Sequence, residues 1–70
     1  MLSNSLVLDK INSLISSGHS VKFTSENNQK VLVLKKNKVI YSEVIENHND
    51  EQLLKSLYFM EKRLKELNNE

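Results

Sequence analysis

The stretch that decides the fold is residues 19–45, HSVKFTSENNQKVLVLKKNKVIYSEVI, which has the pattern of three short strands. Residues 19–25 alternate apolar with polar side chains, as in a strand with one buried face. Residues 30–36, KVLVLKK, form the nearly continuous apolar run expected of a central strand. Residues 39–45 are rich in β-branched and aromatic side chains, which favour strands.

Two short polar segments are predicted to turn the chain between these strands. The cluster at residues 26–29 is ENNQ, and Asn37 with a neighbouring Lys separates the second strand from the third. Asn accepts a positive φ better than most residues, so it suits tight hairpin turns. Such short connections predict an antiparallel meander with strand order 1-2-3.

One helix is predicted before the strand segment in the sequence, and a second helix is predicted after it. Residues 5–17 carry apolar side chains at spacings of three and four, and Gly18 follows where a helix end favours positive φ. Asn49 or Asp50 is expected to cap a second helix that runs to about Leu67. The sequence therefore predicts one α+β domain over residues 1–70, in the order α-β-β-β-α.

Composition limits the chemistry of this 70-residue chain. The absence of Cys excludes disulfides and thiolate zinc sites, and a single Gly excludes Gly-rich phosphate loops. His19 and His48 stand at the ends of elements, and we interpret the segment around His48 as a solvated loop. We expect no catalytic, cofactor-binding or metal residues, and a non-enzymatic, soluble, cytoplasmic protein that does not insert into membranes.

The charged residues separate into two groups although the net charge is only +1. Residues 22–38 contain five lysines against one glutamate, and residues 43–51 contain four acids and no Lys or Arg. The basic group is Lys22, Lys30, Lys35, Lys36 and Lys38, and the acidic group is Glu43, Glu46, Asp50 and Glu51. Both groups fit a solvated surface, and both also fit a steering surface for a charged partner.

The second helix carries an apolar seam at the spacing 4-3-4-3. Its members are Leu53, Leu57, Met60, Leu64 and Leu67. The seam fits either an ordinary core helix or a helix pair in a homodimer. Phe59 lies off the seam, where it is either a lone surface side chain or a contact for a partner. The interface candidates are Phe59, Leu57, Met60, Leu64 and Leu67.

The central strand raises a related question, because alternate side chains of residues 31–34 point to opposite faces of the sheet. If both helices cover the same face, the other face is an exposed apolar surface, which is unusual for a monomer. Either one helix lies on each side, or the second face is an interface. In the second case Lys22 and Lys35 would flank it.

Residues 11–57, INSLISSGHSVKFTSENNQKVLVLKKNKVIYSEVIENHNDEQLLKSL, resemble in layout the compact αβββα anti-CRISPR proteins of phages and mobile elements in Gram-positive bacteria. The likeness covers about two-thirds of the chain. It implies a small inhibitor that occupies the DNA-binding surface of an RNA-guided nuclease, with Glu43, Glu46, Asp50 and Glu51 as the phosphate-mimicking acids. Those inhibitors are strongly acidic, whereas this chain has a net charge of +1 and a basic hairpin.

The function that we predict is a small protein-binding regulator, of the type that phages and mobile elements direct at host or defence proteins. The alternative is a nucleic-acid-associated accessory protein that uses the basic hairpin. The expected partners are a host or defence protein and a second copy of the chain.

Overall fold

A computed structural model describes residues 4–69, with side chains from residue 5 onward. It confirms the predicted α-β-β-β-α order. The elements are α1 (Asn4–Ser16), β1 (His19–Glu26), β2 (Gln29–Lys36), β3 (Val39–Val44) and α2 (Asp50–Leu67). The predicted bounds differ from these by one residue at most for the strands and for α1.

The three strands form one antiparallel sheet in the predicted order β1-β2-β3. The register is continuous across the sheet, so that Val33 pairs with Lys22 on one side and with Ser42 on the other. Leu32 likewise stands between Phe23 and Glu43. Side chains in one such row share a face, which makes the register a direct guide to what each face presents.

Asn residues and the one Gly make the turns, as the sequence predicts. Asn27 and Asn28 have φ of 53° and 64°, the sign pattern of a type I′ hairpin turn. Asn37 has φ of 60° between β2 and β3, and Gly18 has φ of 94° after α1. Glu26 and Gln29 still pair in the ladder, so the first turn is shorter than the predicted four residues.

Both helices lie on the same face of the sheet. Leu14 of α1 and Leu57 of α2 share one buried cluster with Leu32 and Leu34 of β2, and the two helices contact each other. The side chains of Leu32 and Leu34 are fully buried. The domain is therefore a two-layer α+β structure with its core between one sheet face and the helix pair.

α2 begins and ends at specific polar contacts. Asn49 caps its first turn: the Asn49 side chain accepts from the Gln52 amide at 2.8 Å, and the Gln52 side chain accepts from the Asn49 amide at 2.9 Å. At the other end, Asn68 donates to the Lys36 carbonyl at 3.5 Å and accepts from Asn37 at 3.4 Å. α2 thus ends beside the β2–β3 turn.

The two helices are joined by a largely buried ion pair. Lys10 of α1 contacts Glu61 of α2 at 2.5 Å, with side chains 11% and 22% exposed. The Lys10 ammonium also lies 4.1 Å from the ring centroid of Tyr58, within cation–π range. Tyr58 is 56% exposed, so it lies over the helix interface rather than in the core.

We expect Lys10→Ala to lower the free energy of unfolding by about 2 kcal/mol, because it leaves the Glu61 carboxylate largely desolvated without a cation. Urea denaturation measures the loss. The control is Lys62→Ala, which removes an exposed cation from α2 and should change stability by less than about 0.5 kcal/mol. Equal effects of the two substitutions would show that the ion pair contributes nothing specific.

Candidate functional site

The face of the sheet that points away from the helices is the strongest candidate for an interaction surface, and we call it the open face. Side chains alternate along each strand, so its members follow from the register with β2 residues 31, 33 and 35 at its centre. The open face consists of Ser20, Lys22, Thr24, Val31, Val33, Lys35, Ile40, Ser42 and Val44.

The open face is apolar on its β3 side and basic on its β1 side. Ile40 is 59% exposed and Val44 is 45% exposed, while Val33 on the neighbouring strand is half-buried. Lys22 and Lys35 are exposed and diagonally placed on β1 and β2. Apolar side chains bordered by polar and charged ones are common in protein–protein contact surfaces.

A depression with a volume of about 340 Å³ lies near the β1–β2 turn. Thr24 and Val31 of the open face contribute to its lining. The other lining residues are Phe23, Ser25, Lys30 and Ile45, which lie on the face toward the helices, so the depression is not part of the open face. Within residues 4–69, no group of three or more His, Cys, Asp or Glu side chains could hold a metal ion.

A second exposed feature stands over the β3 side of the helix layer. Phe59 of α2 is 50% exposed, and its ring meets that of Tyr41 of β3 edge to face, with centroids 6.2 Å apart. Tyr41 packs in turn against the hydrophobic core. The Phe59 ring is therefore supported on one side and presented to solvent on the other, which suits a contact residue.

The structure corrects most of the interface that the heptad spacing suggested. Leu57, Met60 and Leu64 are fully buried within the single chain, where they pack on the sheet and α1, so they are not available to a second chain. Leu53 is half-buried against the same core. Of the predicted interface residues, Phe59 and Leu67 remain exposed, at 50% and 48%.

Phe59→Ala should cost about 1 kcal/mol of folding free energy, the size of an aromatic pair, rather than the roughly 3–5 kcal/mol of a buried Phe. Phe23→Ala is a matched control, since Phe23 is also 50% exposed. Thermal melting of the two variants measures the folding free energy that each substitution costs. A loss of 3 kcal/mol or more at Phe59 alone would place this ring in the core and remove it as a contact residue.

The four acidic candidates do not form one surface. Glu43 lies on the covered face, where one carboxylate oxygen accepts from the buried Ser56 hydroxyl at 3.3 Å and the other is buried without a partner among the described residues. Glu46 accepts from the Lys30 backbone amide at 2.9 Å. Asp50 and Glu51 occupy the first turn of α2, where carboxylates favour the positive helix end.

The five basic candidates are also divided by strand alternation. Lys22 and Lys35 belong to the open face, and Lys38 lies in the turn that follows β2. Lys30 and Lys36 lie at opposite ends of β2 with their side chains on the other face. Two of the five lysines therefore lie on the open face, and the local charge in the sequence overstates the basic surface.

Three contacts were not indicated by any motif in the sequence. They are the Tyr41–Phe59 ring pair, the Lys10–Glu61 ion pair and the buried Ser56–Glu43 hydrogen bond. The exposed apolar pair Ile40 and Val44 could have been found, because the period-two pattern of VIYSEV places both on one face with Ser42.

Comparison of the chain with known protein families, curated proteins and solved structures found no match. Neither α1 nor α2 combines the length and the apolar character that crossing a membrane requires, within the described residues.

Proposed function

We propose that this chain is a small, non-enzymatic, cytoplasmic protein-binding regulator whose open face contacts its partner. The observation that carries the proposal is a pair of exposed apolar side chains on the sheet face that points away from the helices. Ile40 is 59% exposed and Val44 is 45% exposed. Apolar surface of this kind on a two-layer domain commonly marks a binding site. The half-buried Val33 joins the two into one patch.

The lysines of the open face indicate the chemistry of the partner. Lys22 and Lys35 lie along one side of the apolar patch, and Lys38 lies near Ile40 in the adjoining turn. A partner that offers an apolar contact bordered by carboxylates would match both the apolar side chains and the lysines. Inhibition or modulation of a host or defence protein by a phage or mobile-element protein is the setting that the αβββα layout favours.

Capture from the native cell under graded salt tests the proposal. Immobilised chain is incubated with lysate treated with nuclease, and the column is washed from low to high salt. An apolar protein contact persists as salt rises, so we expect a discrete protein to remain bound. Retention of nothing after nuclease treatment would contradict a protein-binding role.

The alternative is nucleic-acid binding by the lysines of the open face and the turn. Lys22 and Lys35 are exposed on the open face and Lys38 is exposed in the adjoining turn, which is the observation in favour. If all three contact phosphates, changing them to Gln should flatten the salt dependence of binding by up to roughly 3 in log–log slope. Fluorescence anisotropy with labelled DNA and RNA measures this, and an unbound wild type at low salt excludes the alternative.

A further inference from the structure

The free edge of β3 has little protection against pairing, since its one charged side chain is Glu43, on the covered face. β1 and β3 are the two edge strands of the sheet, and an edge strand presents unpaired backbone groups to other chains. β1 carries Lys22 near its middle, a common protective device, whereas β3, VIYSEV, contains neither Lys, Arg nor Pro. Every residue of β3 pairs with β2 without interruption.

The register shows which backbone groups of β3 point outward. The Ile45 amide donates to the Lys30 carbonyl at 2.9 Å, which fixes this pair as hydrogen-bonded. Hydrogen-bonded and non-hydrogen-bonded pairs alternate along an antiparallel ladder. Residues 43, 41 and 39 therefore bond to β2, and the amides and carbonyls of Ile40, Ser42 and Val44 point to the free edge.

These outward groups are self-complementary about a two-fold axis at Ser42. Two antiparallel copies of β3 centred there would place Ile40 opposite Val44 of the other copy on the open face, and Ser42 opposite Ser42. On the covered face Tyr41 would stand opposite Glu43, so the two Glu43 carboxylates would not meet. No like charges within β3 oppose each other in this register.

Antiparallel pairing of two β3 strands would also account for the exposed Phe59 ring above the β3 edge. Phe59 contacts Tyr41, and Tyr41 lies at the proposed two-fold axis, next to Ser42. A second copy would bring another α2 alongside and bury the half of the Phe59 ring that faces solvent. A small core gains stability from such association, because a chain of about 70 residues buries a limited fraction of its surface alone.

We propose that two copies of this chain associate through antiparallel pairing of their β3 edges, forming a six-stranded sheet with Phe59 from both copies at the helix side. The pair is isologous, with the same surface contributed by each copy. The two open faces then lie on the same side of the joined sheet. This association is independent of which protein, if any, binds the open face.

Position 42 gives a register-specific test, because each side chain there would meet its own copy. Sedimentation equilibrium of the wild type should give twice the 8.1 kDa chain mass at high micromolar concentration. Ser42→Lys and Ser42→Glu should each weaken the dimer roughly tenfold or more, because like charges oppose directly. An equimolar mixture of the two variants should restore the dimer.

Ser25→Lys is the matched control, since Ser25 is an exposed serine with outward backbone groups on the β1 edge. It should leave the dimer unchanged. Ser42→Pro adds an independent variant that removes an outward N–H without adding charge, and its circular dichroism checks the fold. A wild type that stays at 8.1 kDa, or a dimer that tolerates the Ser42 substitutions, would overturn the proposal.

The outcome is separable from that of the proposed function. The dimer is read by mass in the purified protein, with no partner present. A chain that stays at 8.1 kDa but captures a partner would contradict only the dimer, and a dimer that captures nothing would contradict only the proposed function.

Discussion

Leu64→Ala should unfold most of the protein at room temperature. Leu64 is fully buried between α2 and the sheet, and removing a buried Leu side chain costs about 2–5 kcal/mol through lost transfer energy and a residual cavity. A domain of this size has roughly 3–5 kcal/mol of stability from its core, so the loss is comparable with the whole. Far-UV circular dichroism against urea measures the effect.

Leu67→Ala is the matched control for this prediction, because it makes the same change three residues further along the same seam. Leu67 is 48% exposed, so its loss should cost less than about 1 kcal/mol. If Leu64→Ala instead left a stable monomeric fold, the seam would belong to a contact between chains, and the core assignment would be wrong.

Replacing Ile40 and Val44 together with Ser should weaken partner binding by about 2 kcal/mol or more, roughly thirtyfold, the size of a hot-spot loss. Both side chains are about half exposed, so folding stability should fall by no more than about 1 kcal/mol. Binding is measured with the captured partner by calorimetry, and stability by urea denaturation of the same samples.

The control is a double variant that removes a similar amount of apolar surface from α1 instead of β3. Leu8 and Ile15 of α1 are 56% and 52% exposed, and changing both to Ser should leave partner binding intact. Sedimentation equilibrium of the Ile40 and Val44 double variant shows whether lost pairing of the β3 edges accompanies the loss of binding. Equal losses in the α1 and β3 double variants would indicate a non-specific effect of reduced apolar surface.

Most of the fold could be predicted because local signals agree with the tertiary structure. Asn27, Asn28 and Asn37 supply the positive φ that the two hairpin turns require, and Gly18 does the same after α1. Asn49, one of the two predicted caps, caps α2 through its reciprocal bonds with Gln52. Each of these signals acts within four residues, so no knowledge of distant contacts is needed.

The surface could be predicted only in part, because it depends on contacts between distant segments. The spacing of Leu57, Met60 and Leu64 is the same for a core helix and for a coiled coil, and only the position of α2 on the sheet decides. The placement of both helices on one face, which exposes Ile40 and Val44, left no local signal.

Site-specific photo-cross-linking in the native cell tests the role of the open face most directly. A photoreactive side chain replaces Lys35 on the open face, one strand away from the β3 edge, or Lys62 on the exposed side of α2. The proposed function predicts a discrete adduct with another protein from position 35 and none from position 62. An adduct with that protein from position 62 and none from position 35 would contradict it.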